Sequence, residues 1–528
     1  MNEQETQAYL NFLLELLQKI DADSSREFIY PFLTENLDKL DQSLIVILEK
    51  WAKRTLRSCD LEESYNFAVY ISNFSDLIQE FLLGNISTNL EIAIIGYQIV
   101  LSIFTLDAYP EEWATTQHNL GRAYSCRIRA DKADSLEKAI TAYTEALKVY
   151  DFEHFPKQWA TTKNNLGNVY TNRIKGDKAN NLEKAITVLN EALKVITFED
   201  FPEYWADTKN NLGNAYLARI KGDEADNLEK AITCYTQALK VRTFENFPED
   251  WAKSYNNLGN SYLFRIRGDE ADNLEKAITF YTQALKVKTF DDFPKDWANI
   301  QNNLGNSYLF RIRGDKADNL EKAIIFYIQA LKVRTFDNFS KDWADTQNNL
   351  AIAYAERIQG DKAENSEKSC NYYQNALQGY ETAGDWLNAA EIALTLGKIY
   401  VDRGEWYKGL DYLEKSLTIH RQFEDLPSRA DTIYQIARTH HLIGNYEKAS
   451  VHYRDALRFY NHLKNSRGAA FCRASLGRIL LQTSFVREAK KELEAAKIIF
   501  IDLKDSQEIT KINEVLNCIM QIEEKQAA

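Results

Sequence analysis

The sequence predicts an all-α chain built as a superhelix of stacked helical hairpins. Three observations predict it. Trp113, Trp159, Trp205, Trp251, Trp297 and Trp343 recur at a fixed interval of 46 residues, and a fixed period between about 20 and 50 residues marks a repeat array. Each interval holds two apolar stripes at helical spacing, and no segment shows the strict alternation of a half-buried strand. Nor can one such hairpin bury its apolar faces alone, so neighbours must stack.

Residues 1–66 do not repeat. Stripes such as Leu10, Leu13, Leu14, Leu17 and Leu44, Ile47, Leu48, Trp51 make them a helical cap over the first hairpin. Residues 67–384 form the long-period array. Its first copy is worn: Asn89, Leu90, Glu91, Ala93, Ile94, Tyr97 and Pro110 keep the register, while Phe67 takes the tryptophan slot.

The unit from Trp205 to Asp250 shows how a clear copy is built. Trp205, Leu212, Ala215, Tyr216 and Ile220 make the first stripe. Gly222 offers a left-handed stop and Asp223 a turn residue. Asp226 with Glu229 has capping-box spacing and predicts the start of the second helix, as do Asp272 with Glu275, Asp318 with Glu321, and Asn180 with Glu183. Leu228, Ala231, Ile232, Tyr235, Ala238 and Leu239 form the second stripe. A turn through Phe244 and Phe247 then leads to Pro248, whose fixed φ suits a first helical turn. The sixth copy has decayed, with Ser340, Ile352, Ser366 and Ser369 in altered slots.

Residues 385–508 repeat at 40 residues, with Gly397, Ala437 and Gly477 in one slot and Gly404 and Gly444 ending first helices. The shorter link inside each hairpin predicts a change of superhelical twist near 384–395. Residues 509–528 are a C-terminal capping helix and tail.

The pattern L-G-x-x-Y (Leu212, Gly213, Tyr216) followed by A-x-x-x-Y-x-x-A (Ala231, Tyr235, Ala238) resembles the tetratricopeptide repeat. It departs in length, since that family repeats at about 34 residues. The resemblance covers about residues 67–515. It implies a right-handed α–α superhelix whose first helices line a concave, partner-binding groove. Arrays rich in NNLGNxY and NLEKAI are similar to cyanobacterial tetratricopeptide proteins, some of which continue into a caspase-like CHAT protease domain.

Sixty-four Lys and Arg against 77 Asp and Glu give a net charge of −13, and no basic cluster with interleaved aromatics offsets it. A nucleic-acid partner is therefore not expected. Six scattered cysteines without a Cys-x-x-Cys read as reduced thiols of a cytoplasmic protein. The first 17 residues are too acidic for a signal peptide, and no apolar run approaches the ~18 residues of a membrane span.

Asparagine is the most informative polar residue. Asn119, Asn165, Asn211, Asn257, Asn303 and Asn349 precede the leucine in all six copies. Asn168, Asn214, Asn260 and Asn306 follow three residues on, and Asn164, Asn210, Asn256, Asn302 and Asn348 sit just before. Asparagine is a mediocre helix former, so these columns need a reason. A carboxamide both donates and accepts. The columns resemble the asparagine ladders of kinesin light chains and the O-GlcNAc transferase, which implies that they read a peptide main chain; the alternative is that they link adjacent repeats. Phe264 and Phe310 are candidate apolar pockets on the same face. The recurring Arg127, Arg173, Arg219, Arg265, Arg311 and Arg357 either meet acidic ligand groups or pair with the Asp of the next G-D turn. The tryptophans read as packing.

Catalytic, metal-binding and cofactor sites find no motif. The seven histidines include no His-Glu-x-x-His, and adjacent His440 and His441 point to different helix faces. The reading is a non-enzymatic interaction scaffold binding a peptide or partner domain. Its alternative is a regulator in trans of a separate enzyme, such as a CHAT protease.

Overall fold

The array expected from the period folds into hairpins in a computed structural model that describes residues 2–128 and 131–527. Met1 and Ala528, at the outer ends of the two expected caps, lie outside the described residues. The described residues hold α-helices and one short 3-10 turn, with no strand. The chain divides into two compact units, residues 1–287 and 288–528.

The first unit opens with α1 (Glu3–Ala22), α2 (Arg26–Glu35) and α3 (Gln42–Thr55), followed by the hairpin α4 (Leu61–Glu80) and α5 (Ile86–Val100). Leu13, Leu16, Leu44 and Leu48 enter one apolar cluster with Phe74, Ile92 and Trp113, so the non-repeating helices bury the open side of that hairpin. Four long-period hairpins follow: α6 (Pro110–Cys126) with α7 (Lys132–Ala146), α8 (Pro156–Asn172) with α9 (Lys178–Ala192), α10 (Pro202–Leu217) with α11 (Glu224–Ala238), and α12 (Pro248–Leu263) with α13 (Glu270–Ala284).

The second unit continues with α14 (Pro294–Leu309) and α15 (Lys316–Ala330), then α16 (Ser340–Glu356) and α17 (Lys362–Thr382). The 40-residue hairpins are α18 (Trp386–Asp402) with α19 (Trp406–Gln422), α20 (Leu426–Ile443) with α21 (Tyr446–His462), and α22 (Ser466–Gln482) with α23 (Val486–Asp502). They end on α24 (Ser506–Ala527).

Local chemistry sets the helix ends. Pro156, Pro202, Pro248 and Pro294 each open a first helix, where the missing N–H costs nothing. The chain leaves the helix after Leu217 and reverses through Gly222 at φ +84°, a conformation that favours glycine. Ile220 therefore lies beyond the first helix rather than on its stripe, and is 59% exposed. The second helix begins at Glu224, two residues before the expected Asp226. Its cap is Asp223, whose carboxylate accepts the Asp226 N–H at 2.8 Å. Asp177, Asp269, Asp315 and Asp361 cap in the same way.

Inside a hairpin the helices meet through a glycine and an aromatic ring. A Cβ on Gly213 would lie 2.6 Å from the Tyr235 ring, so only glycine lets the two helices close at this point. Between copies, Trp205 meets Phe198 edge to face at 5.2 Å, and Trp251 meets Phe244 likewise. The tryptophans pack, as their stripes predict.

Candidate protein-interaction face

The first helices present the asparagine columns, and the structure shows how these carboxamides are engaged. In the first unit, Asn119 donates to the Asp76 carboxylate at 2.8 Å. Asn165 lies 3.5 Å from His118 Nε2. Asn211 donates to Asn164 Oδ1 at 3.1 Å, and Asn257 to both Asn210 and Asn214 at 3.3 and 3.2 Å. In the second unit, Asn349 donates to Asn302 and Asn306 at 3.4 and 3.0 Å, and Asn303 is half-buried. The half-buried carboxamides of Asn119, Asn165, Asn211, Asn257 and Asn349 thus reach back to the preceding copy. Burial keeps His118 neutral, pushing its pKa down to about 4, and its Nδ1 meets the Thr162 hydroxyl at 2.8 Å.

The second column is tied down within each hairpin. Tyr235 donates its hydroxyl to Asn214 at 2.8 Å, Tyr281 to Asn260 at 2.7 Å, and Tyr327 to Asn306 at 2.8 Å. Burial raises the pKa of all three phenols, so they remain donors. Asn168 differs because Leu189 stands where the other copies have tyrosine. With no phenol to meet it, Asn168 is exposed, and among the described residues its side chain meets only the equally exposed Asn172, one turn along α8. These two carboxamides point outward as a pair.

Phe264 and Phe310 follow the ends of α12 and α14 and are 65% and 61% exposed. Phe264 falls four residues after Asn260 on the same helical stripe, and Phe310 four residues after Asn306 in the second unit.

The arginine row has a different partner from the expected turn aspartate. Arg219 forks onto Glu183 at 2.8 and 2.9 Å, and Arg173 onto Glu137, Arg265 onto Glu229, and Arg357 onto Glu321 in the same way. Each pair joins a first helix to the second helix of the preceding copy. A guanidinium has five donors in a planar fork, and a spare one reaches the helix asparagine, as Arg219 does to Asn227 at 3.2 Å. Glu229 is therefore an inter-repeat partner, not a capping residue.

Sequence reading also missed one slot. Arg242 is buried at 4% exposure and reaches Asp207 at 2.6 Å and Ser254 at 2.9 Å. Arg334, its counterpart in the second unit, meets only neutral acceptors in Asn299, Thr346 and the Asp342 carbonyl. Burial lowers its pKa. The signal was a cation at the end of an apolar helical stripe.

Residues 113–155, 159–203, 205–249 and 251–294 match one model of the tetratricopeptide repeat, and residues 389–462 match another. These stretches are tetratricopeptide repeats. No curated protein matches it. Among solved structures, it is similar to the apo form of RapI, with 13% identity over 75% of this chain and 99% of the other, at a TM-score of 0.47. It is also similar to a STAND protein with a tetratricopeptide repeat sensor from Pyrococcus horikoshii, with 13% identity over 84% and 69% and a TM-score of 0.42. A third is the apo quorum sensor NprR from B. thuringiensis, with 14% identity over 70% and 100% and a TM-score of 0.42. No helix of the described residues is long and apolar enough to cross a membrane.

Proposed function

We propose that this chain is a non-enzymatic protein-interaction scaffold that holds an extended peptide against the first helices of its first unit. The observation that carries the reading is the outward pair Asn168 and Asn172. Asn172 spends its amide on Asn168, which leaves the Asn168 amide as a donor and the Asn172 oxygen as an acceptor, so together they match the alternating N–H and C=O of a main chain. Phe264, exposed on the same type of face two copies on, is an apolar contact for a side chain of the same ligand. The other carboxamides, Asn119, Asn165, Asn211, Asn257, Asn214 and Asn260, then shape the face rather than carry the affinity. Asn303, Asn349, Asn306 and Phe310 do the same in the second unit.

The test is selection of peptides from a displayed random library on the full chain, followed by affinity measurement with the enriched peptides. Asn168→Ala with Asn172→Ala removes two hydrogen-bonding pairs worth roughly 0.5–1.5 kcal/mol each. Binding should weaken by about 5- to 150-fold with an unchanged melting temperature. Unaltered affinity in the double variant would overturn the reading.

A further inference from the structure

From α17 onward one slot near the end of the second helix, recurring every 40 residues, is filled by Tyr380, His420, Tyr460 and Phe500, all buried. Two of the tyrosines use their hydroxyls: Tyr460 donates to Asp431 at 2.6 Å and Tyr380 to Asp345 at 2.6 Å. His420, alone of the four, puts ligating nitrogens there. It is fully buried, and neither ring nitrogen has a hydrogen-bond partner among the described residues.

Two carboxylates face the ring. Glu391, in the α18 slot that corresponds to Asp431, places Oε1 3.8 Å from Nε2. Asp425, at the start of α20, places Oδ2 3.4 Å from Nδ1. Its other oxygen accepts the Ser428 N–H, and its own N–H donates to the His420 carbonyl at 3.1 Å, so the turn fixes it. One ligand atom from each of the three residues lies within 4.8 Å of the others.

These separations are too long for hydrogen bonds, which span about 2.7–3.2 Å. They suit two ligands of one ion: bonds of ~2.0–2.2 Å in a tetrahedral shell hold ligands about 3.4 Å apart. Imidazole is shorter than phenol, so it stops short of the carboxylate that tyrosine reaches in the sister copy. The gap left is the size of an ion. Two carboxylates and a neutral imidazole balance a divalent charge, and one nitrogen with two oxygens suits a first-row transition ion such as Zn²⁺ rather than Mg²⁺.

We propose that Glu391, His420 and Asp425 form a site for a single divalent transition-metal ion, which clamps α18 and α19 to the start of α20. The ion takes one ring nitrogen. The carboxylate on the far side of the ring swings in, and Glu391, exposed on its helix, is the one free to do so. No motif announced this site, because its ligands come from three different elements.

The experiment uses the full chain, stripped with a chelator and titrated with Zn²⁺ and, for its visible absorption, with Co²⁺. One ion per chain should survive dialysis, raise the melting temperature, and give cobalt bands in the range of a low-coordinate site. Glu391→Gln, at an exposed position, should keep the fold and weaken binding at least tenfold; His420→Gln should abolish it. His440→Ala with His452→Ala, which removes the stacked histidine pair elsewhere in the same unit, should leave binding intact. Failure of the wild-type chain to retain an ion would overturn the proposal. Equal binding by Glu391→Gln, or loss of binding only in the His440/His452 variant, would overturn it too.

Discussion

Leu189 decides the state of Asn168, the carboxamide 21 residues earlier on the preceding helix. In its sister copies a phenol occupies this slot and donates to the asparagine 21 residues earlier. In this copy the same position packs leucine against Gly167, and Asn168 faces outward. Leu189→Tyr should therefore recreate the sister geometry. It should raise stability by roughly 0.5–1.5 kcal/mol, the net worth of one hydrogen bond, and should weaken binding of the selected peptides. Thermal unfolding and peptide titration on one variant check both halves; a peptide affinity that does not fall would separate Asn168 from ligand recognition. The asparagine columns were legible in the sequence, but their use was not. Two columns of the same residue show no pairing between them, and only the break at Leu189 marks which member is released. His420 was hidden for a similar reason: Glu391 and Asp425 become its neighbours only after α18, α19 and α20 pack.

The helices themselves were legible from the period of their apolar residues, and their ends less so. The expected box at Asp226 and Glu229 has correct spacing, yet Asp223 caps the helix and Glu229 is drawn to Arg265 of the following copy. A local spacing rule sees only neighbours in the chain, whereas this glutamate's partner lies 36 residues on. These forked pairs give stacking a pH dependence. Hydrogen bonding to Arg219 holds Glu183 below its ordinary pKa, as Arg173 does Glu137. A carboxylate lowered on folding contributes stability above the unfolded value of ~4.3 and loses it as pH falls through the folded value. Glu183→Gln should thus be less stable than wild type by about 1 kcal/mol at pH 7, the upper range for partly exposed pairs. The difference should vanish once the pH has fallen below the lowered folded value. Denaturant curves at both pH values measure it, and a difference that persists in acid would mean that packing, not charge, is lost.

At the scale of the whole chain, the substantial helix contacts join helices no more than three apart in sequence. Within each unit, cohesion is thus passed from a hairpin to its neighbours, as in other repeat arrays, where stability is close to a sum of repeat and interface terms. Such arrays need not unfold in one step. The interval of 46 residues made this connectivity legible from the start; the division at 287 has no counterpart in the sequence period, because it falls within the regular copies. Gly397 supplies a test. A Cβ there would stand 2.7 Å from the Leu413 side chain and 3.2 Å from the Gly409 carbonyl, so Gly397→Val must push α18 off α19 at a cost of at least about 1–3 kcal/mol. In a globular core that strain would spread through the fold. Nearest-neighbour cohesion instead predicts damage confined to the adjacent hairpins. Hydrogen exchange should show α17 to α20 losing protection, while α6 to α9 exchange as slowly as in the wild type. Uniform loss of protection along the chain would show that the array folds as one cooperative block.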